Sequence, residues 1–275
     1  TGSHNTALGK AALGSITTAS DNTAVGSGSL GTTTTGTNNT AVGRSVLVEN
    51  TTGSQNTAVG KDALYNNTTA SYNTALGYVA LNTNTTGAEN TAVGANALKS
   101  NSTGNYNVAM GVNALEDNTG SSNVGVGYKA LEENTTGESN VALGPWALRV
   151  TTTGNYNSAI GRSALGANTT GSNNVALGRN ALSSNTTASG NTAIGYYALT
   201  TATTATGNTA VGNLALNLTT ASQNTAVGDQ ALEVTSTGDS NTAVGDRAMH
   251  ANTTGGKNTA VGVYALNANT TASNN

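Results

Sequence analysis

Few side chains in this sequence could carry out chemistry, and their spacing does not bring them together. The 275 residues contain no Cys and only two His. Thiolate metal sites and cysteine nucleophiles are therefore excluded, and a typical zinc site would need more imidazoles. His4 and His250 lie near opposite ends of the sequence, which makes a Ser-His-Asp site implausible. We therefore expect a non-enzyme with no catalytic residue, no cofactor and no bound metal.

The densest group of carboxylates is formed by Glu116, Asp117, Glu132 and Glu133, in two neighbouring copies of the repeat described below. Clustered carboxylates can hold a divalent cation. However, calcium loops follow a D-x-D-x-D-G pattern or a G-G-x-G-x-D repeat, and the sequence has neither. We interpret the group as a solvated loop face. The glycines do not form a phosphate loop either, because no Lys-Ser/Thr pair follows them at the start of a helix.

Aromatic side chains are the best candidates for a binding surface. Rigid rings with one polar end favour contact with sugars or with protein partners. The plainer interpretation is that they cover turns of the fold or contact neighbouring chains. The candidates are Tyr72, Tyr78, Tyr106, Tyr128, Trp146, Tyr156, Tyr196, Tyr197 and Tyr264.

A second set of candidates consists of N-x-T sequons, which are acceptors of N-glycosylation in secreted proteins. Asn-Thr also suits a turn, and this composition alone generates sequons. We expect these residues to lie on an exposed loop, where a glycan could be attached. The candidate asparagines are Asn50, Asn67, Asn84, Asn101, Asn134, Asn168, Asn185, Asn252 and Asn269.

The composition excludes several classes of partner. Charged residues make up 8% of the chain and the net charge is −3, so no basic footprint for nucleic acid or anionic lipid is present. No apolar run approaches the roughly 18 residues of a membrane span. A polar, Gly-rich chain of this kind could be disordered, but the strict order of its residues argues against that.

A single repeat array fills residues 1–275. Its consensus is N-T-A-V-G-x-x-A-L-x-x-N-T-T-G-x-x, and we number its positions 1 to 17 from the opening Asn. Position 5 is always Gly, position 4 is always a large aliphatic residue, and charges occur only at positions 6, 7, 10, 11, 16 and 17. The sixteen copies begin at Asn5, Asn22, Asn39, Asn56, Asn73, Asn90, Asn107, Asn123, Asn140, Asn157, Asn174, Asn191, Asn208, Asn224, Asn241 and Asn258.

A unit of this length is too short for a helix-turn-helix repeat. It contains β-forming residues and ends its apolar stretches at Gly. We therefore predict an all-β, parallel β-solenoid of sixteen coils, each with two short strands and two turns. Asn at position 1 and Gly at positions 5 and 15 should mark the corners. Because Ala replaces Gly at position 15 in several coils, positive φ is expected at the position-5 corner and not at the position-15 corner. Stacked coils should align the position-1 asparagines in an amide ladder.

The segregation of charges from aliphatic residues predicts that positions 4 and 9 are the most buried and that the charged columns are the most exposed. Such a core is thin for a lone chain. Positions 2 and 4 point to one side of a strand and position 3 to the other, and both sides are apolar or small. A strand that is apolar on both faces is usually buried on both. We therefore predict a homo-oligomer with the N-T-A-V strand nearest the shared axis.

The N-T-A-V-G strand followed by x-x-A-L resembles the head repeats of trimeric autotransporter adhesins. The longer N-T-T-G-x-x-N-T-A-V-G form resembles repeats of phage tail fibres. The resemblance covers essentially the whole chain, through a low-complexity motif. It implies a left-handed, trimeric β-roll at the cell surface, outside the cell or on a virion tail. The unit here is longer than the adhesin head repeat, and no coiled-coil stalk or membrane anchor is visible.

The function expected from these observations is structural: the shaft of an extracellular fibre or adhesin, with end-to-end filaments as one form. The alternatives are a phage tail-fibre segment or a carbohydrate-binding surface module that recognises a host glycan or receptor. An ice-binding solenoid is a third hypothesis, because the two Thr columns at positions 13 and 14 resemble hydroxyl ladders. Both ends of the sequence stop within a repeat, so we expect the repeat to continue beyond them.

Overall fold

The computed structural model describes residues 2–275 and contains only short parallel β-strands and turns in that range. The chain divides into two compact units, one ending at Ser139 and one spanning Asn140–Asn275. The strands of the first unit are β1 Thr6–Leu8, β2 Thr23–Val25, β3 Thr40–Val42, β4 Thr57–Val59, β5 Thr74–Leu76, β6 Thr91–Val93, β7 Val108–Met110 and β8 Val124–Val126. Those of the second are β9 Val141–Leu143, β10 Ser158–Ile160, β11 Val175–Leu177, β12 Thr192–Ile194, β13 Thr209–Val211, β14 Thr225–Val227, β15 Thr242–Val244 and β16 Thr259–Val261.

Within each unit, every strand pairs in parallel with the strand of the next coil, and equivalent positions lie side by side. Ala24 is opposite Ala41, for example, and Val25 is opposite Val42. The predicted parallel β-solenoid is confirmed. This register explains the strict columns of the sequence repeat. Each side chain lies beside its counterpart in the next coil, about 4.8 Å away, so the same residue type fits at the same position of every coil.

Each coil contains one three-residue strand, so the prediction of two strands per coil is wrong. The T-T-G segment still bonds along the stack. The backbone N–H groups of Thr51 and Thr52 both donate to the carbonyl oxygen of Thr68, at 2.9 and 3.3 Å. Two consecutive donors that converge on one acceptor differ from a strand ladder, in which successive groups alternate in direction. The segment is therefore a bend that bonds to the next coil and not a second strand.

Position 5 adopts positive φ, as predicted: Gly60 has φ +122° and Gly94 has φ +132°. Position 15 does not, which explains why Ala70 can stand there. The sequence did not predict three further left-handed positions, 7, 9 and 17, which most coils fill with residues other than Gly. Leu64 at position 9 has φ 49°. A left-handed conformation costs roughly 1–2 kcal/mol in a residue other than Gly, so tertiary packing must offset it.

Position 9 provides that packing. Leu64 and Leu98 are fully buried, and the Ala residues at positions 3 and 8 of the same coils surround them inside the stack. Burying one Leu side chain contributes about 1.5–3 kcal/mol, enough to offset its left-handed backbone. The left-handed turn is the conformation in which the position-9 side chain enters the coil.

The prediction that position 4 is among the most buried is wrong for the single chain. Leu76 is 48% exposed and Met110 is 44% exposed, while Val93 is half-buried. The reason is strand geometry: position 3 faces inward, as Ala75 and Ala92 show, so positions 2 and 4 must face outward. The interior is filled by Leu, two Ala and buried Asn side chains.

The predicted amide ladder at position 1 is confirmed. The Oδ1 atom of Asn39 accepts the backbone N–H of Asn56 at 3.0 Å and its Nδ2 group at 3.2 Å. The same Nδ2 group donates to the carbonyl of Ala70, at position 15 of its own coil, at 2.9 Å. The column thus joins adjacent coils and also ties the two ends of one coil together.

Candidate functional site

The most extensive candidate site is the outward face, which we define as the side chains at positions 2 and 4 of each strand. Position 2 holds Thr, Val or Ser and position 4 holds Val, Leu, Ile or Met, so no charge interrupts either column. In β5 the two outward residues are exposed and the central Ala75 is buried. In β6 they are half-buried around the buried Ala92.

The outward face is regular as well as uncharged. Its rows repeat at the strand spacing of about 4.8 Å, which gives an aliphatic column at position 4 beside a column at position 2 that is mainly Thr. Isolated exposed apolar residues are normal, but a continuous apolar patch marks an interaction surface. The position-4 column of the first unit consists of Leu8, Val25, Val42, Val59, Leu76, Val93, Met110 and Val126.

The nine candidate aromatics are exposed or half-exposed, and the structure does not gather them on one surface. Seven are exposed, with Tyr156 at 63%, whereas Trp146 and Tyr197 are half-buried. Tyr196 and Tyr197 form an edge-to-face ring pair with centroids 4.5 Å apart. The other seven stand in separate coils or columns.

Several of the rings instead carry a cation, a role that the sequence analysis missed. Lys61 lies 5.3 Å from the ring centroid of Tyr78, in the next coil of the same column. The guanidinium of Arg162 lies 4.9 Å from the ring of Trp146. Contacts of this kind contribute about 0.5–1 kcal/mol at exposed sites, so they reinforce the stack along its surface. The other pairs are Lys129 with Tyr128, Arg179 with Tyr196 and Arg247 with Tyr264.

The last of these pairs includes a hydrogen bond. Arg247 Nη1 donates to the hydroxyl oxygen of Tyr264 at 3.1 Å, and its Nε donates to Gln230 Oε1 at 2.6 Å. The hydrogen bond to Tyr264 raises the pKa of Arg247 above its ordinary value. A guanidinium is charged in proteins in any case, so this bond orients the side chain and does not change its charge.

In the part of the chain that the structure describes, two concave features include a candidate aromatic, and one of them, beside Tyr72 and Glu89, has no cation in its lining. Trp146, Arg149 and Arg162 line a surface groove of about 410 Å³ in the second unit. Gly166 and Ala167 form part of its wall, and their small side chains leave it open. It is the place where the structure brings a candidate aromatic residue together with two cations.

Three of the four candidate carboxylates contact a neighbouring residue. Glu116 accepts from Lys99 Nζ at 3.2 Å and Glu132 from Lys129 Nζ at 2.7 Å. Asp117 accepts from the Ser100 hydroxyl at 3.3 Å. Among residues 2–275, no group of three His, Cys, Asp or Glu side chains could hold a metal ion.

The expectation that the sequon asparagines lie on an exposed loop is wrong for eight of the nine. Only Asn269, in the last coil, is partly exposed. Asn67 Nδ2 donates to Asn50 Oδ1 at 2.9 Å and to the Ala70 carbonyl at 3.0 Å, so position 12 forms a second amide ladder. A glycan on these nitrogens would remove those bonds. The buried sequon asparagines are Asn50, Asn67, Asn84, Asn101, Asn134, Asn168, Asn185 and Asn252.

The threonine columns at positions 13 and 14 differ in their bonding. At position 13, Thr51 Oγ1 donates to the Thr68 carbonyl and Thr68 Oγ1 to the Thr85 carbonyl, both at 3.1 Å. Thr52, at position 14, is exposed. The two columns therefore do not present paired free hydroxyl donors, as the ice-binding hypothesis would require.

Within residues 2–275 there is no helix whose length and apolar character would let it cross a membrane. Comparison with protein-family models and with curated proteins gives no match to this chain.

Proposed function

We propose that this chain is a non-enzymatic structural protein that forms the shaft of an extracellular fibre or adhesin as a homo-oligomer. The observation that carries the proposal is the outward face, an uncharged surface with an aliphatic side chain at position 4 of every strand and mostly Thr at position 2. The resemblance to adhesin head repeats gives the number of chains as three and the hand of the roll as left. A phage tail-fibre shaft would use the same construction.

The occupant of the outward face is a second copy of the chain. A surface whose rows repeat every 4.8 Å or so is matched along its length only by a partner with the same repeat, and an identical chain has it. Covering one Val or Leu at position 4 contributes less than the roughly 1.5–3 kcal/mol of a complete burial, because these side chains are already partly covered within the single chain. Positions 2 and 4 carry no charged residue, so two chains can exclude water from this contact without burying an unpaired ion.

The bonding along the stack suits a load-bearing element. Strand amides, turn amides and two buried Asn columns all bond from coil to coil. Asn56, for example, bonds to Asn39 on one side and Asn73 on the other. Each coil holds its neighbours through backbone and side-chain bonds together, so adding coils adds length without requiring a new core.

Charge placed on the outward face tests this function. We expect wild-type protein to give uniform multi-chain particles with rotational symmetry in electron micrographs. The double variant Val59→Lys, Val93→Lys should give single-chain particles. Gln55→Lys is the matched control, because Lys257 occupies the same repeat position with the same φ of 59°. It should assemble like the wild type.

Two outcomes would contradict the proposal. One is a wild-type preparation that consists of folded single chains. The other is a charged variant that assembles normally. The milder pair Val59→Ser, Val93→Ser separates lost assembly from lost folding, because Ser158 occupies position 2 of the outward face in β10. This pair should keep the circular dichroism spectrum of the wild type while weakening assembly.

A further inference from the structure

The groove beside Trp146 places Arg149 and two serines next to the Arg162–Trp146 pair, and the contact of that pair along the stack does not account for them. Its volume of about 410 Å³ lies within the range of small-ligand clefts. It is lined by the one Trp of the chain and by two of the five Arg residues. Ser163 and Ser183 add two hydroxyl groups to the lining.

The groove exists because of local sequence choices. At positions 10 and 11, most coils carry at least one larger side chain, such as Tyr65 or Glu133. The coil that begins at Asn157 has Gly166 and Ala167 there instead, and both line the groove. The small pair therefore leaves a depression bordered by Arg149 of the preceding coil.

The charge around the groove is reversed relative to the whole chain. Residues 139–228 contain no Asp or Glu and three Arg, namely Arg149, Arg162 and Arg179, while the complete chain has a net charge of −3. This segment therefore carries a formal charge of +3, the number of its Arg residues, since it has no His or Lys. An anion in the groove meets no carboxylate from any part of this segment.

The guanidinium of Arg162 lies 4.9 Å from the centroid of the Trp146 ring. A guanidinium carries five N–H donors in a planar fork, which suits the bonding of a carboxylate or sulfate beside such a contact. Because the aromatic ring restrains the side chain, less conformational entropy is lost when an anion binds.

We propose that this groove binds an acidic saccharide, a sugar that carries a carboxylate or sulfate group. Arg149 and Arg162 contact the anionic group with charge-assisted hydrogen bonds. The Trp146 ring packs against the apolar face of the sugar, and the serine hydroxyls bond to its hydroxyl groups. The site does not depend on the proposed shaft function, since all its lining residues belong to one chain.

Trp146 is also the reporter for the test, because its indole is the single Trp fluorophore of the protein. The assembled protein is titrated with a glucuronate-containing tetrasaccharide, a sulfated tetrasaccharide, a neutral tetrasaccharide, sodium sulfate and a short single-stranded DNA. We expect saturable changes in fluorescence with the acidic sugars. Calorimetry provides a second measurement of the same affinity.

Arg149→Gln and Arg162→Gln should each weaken the acidic-sugar affinity by about tenfold, the typical effect of losing a charge-assisted hydrogen bond. Arg44→Gln is the matched control, because Arg44 occupies the same repeat position as Arg162 in the first unit. It should leave the affinity unchanged.

The proposal is overturned if the neutral sugar binds as tightly as the acidic ones, or if sulfate alone accounts for the affinity. It is also overturned if the DNA binds more tightly than the sugars. An equal loss of affinity in Arg44→Gln would show attraction by overall charge and not by this groove. Absence of any saturable signal in both measurements would equally contradict it.

Discussion

Removing one rung of the position-1 ladder should destabilise the coils on either side of it. Asn56 Oδ1 accepts the backbone N–H of Asn73 at 2.9 Å, and its Nδ2 donates to Asn39 Oδ1 and the Ala70 carbonyl. In Asn56→Ala, the Ala70 carbonyl keeps a bond from Asn67, and Asn39 Oδ1 keeps the backbone N–H of residue 56. The buried N–H of Asn73 loses its acceptor.

An orphaned buried N–H costs about 1–3 kcal/mol, and each weakened acceptor adds up to about 1 kcal/mol, so we expect a loss of about 2–4 kcal/mol. Repeat arrays open locally, because each coil contacts only its neighbours. Hydrogen exchange followed by mass spectrometry should therefore show faster exchange in peptides spanning residues 56–73 and little change several coils away. Urea denaturation gives the total loss.

Asn66→Ala is the control for this experiment, since Asn66 is half-exposed at position 11. Its effect should stay within about 0.5 kcal/mol, as for most surface substitutions. Equal effects of Asn56→Ala and Asn66→Ala would refute the reasoning, because the buried amide column would then contribute no more than a surface side chain.

Three further substitutions test other parts of the coil. Gly60→Ala should cost more than about 2 kcal/mol in urea denaturation, because its φ of +122° is strained for Ala. Gly53→Ala should cost clearly less: an added Cβ meets a carbonyl oxygen of the next coil at both positions, but only Gly60 has positive φ, and Ala occupies position 15 in other coils. Equal losses would contradict the φ argument. The buried hydroxyl of Thr33, at position 12, has no hydrogen-bond partner. Thr33→Asn should raise the stability by about 1 kcal/mol, because the new amide joins the position-12 ladder. Thr33→Ser should leave the stability unimproved. Asn90→Asp should be destabilising, with a loss of stability that grows with pH. In the wild type, Asn90 Nδ2 donates to the Gly104 carbonyl at 2.9 Å. That carbonyl and the burial of the site raise the folded pKa of the new carboxyl above its unfolded value. The loss is then smallest below the unfolded pKa and increases as pH rises through the folded pKa; denaturation curves that show a pH-independent difference would contradict this.

The period of the sequence was sufficient to predict the stack. A strict column of Gly at position 5 indicates a conformation that other residues avoid, and the structure has φ between 122° and 147° there. A strict column of Asn at position 1 indicates a ladder, because identical amides at the stacking distance bond to one another. Both inferences need only the knowledge that equivalent positions stack.

The direction of each side chain was harder to predict. Charge segregation cannot distinguish an aliphatic residue inside the coil from one on an apolar outer face, and for this reason position 4 was misassigned. Leu64 at φ 49° could not be foreseen, since propensity disfavours that conformation and only the packing of the coil favours it. The position-12 Asn column was mistaken for an exposed loop because Asn-Thr is also a common turn sequence.

For the candidate binding residues, too, the sequence predicted one property and missed another. The exposure of the aromatic residues followed from their positions 6, 7 and 17, which are three of the columns that also carry charges. The groove is formed by residues of three neighbouring coils. Comparing the residues at one repeat position at a time could therefore not predict it. One sequence signal did point there: the absence of carboxylates from residues 139–228.

The molar mass of the folded protein in solution tests the central claim most directly. The chain has a mass of 27.0 kDa. Light scattering at micromolar concentration, on protein whose circular dichroism shows a folded β structure, should give a multiple of that mass, and three times that mass for the trimer. A single species at 27.0 kDa that remains folded would show that the outward face is stable in water without a partner, and would contradict the account.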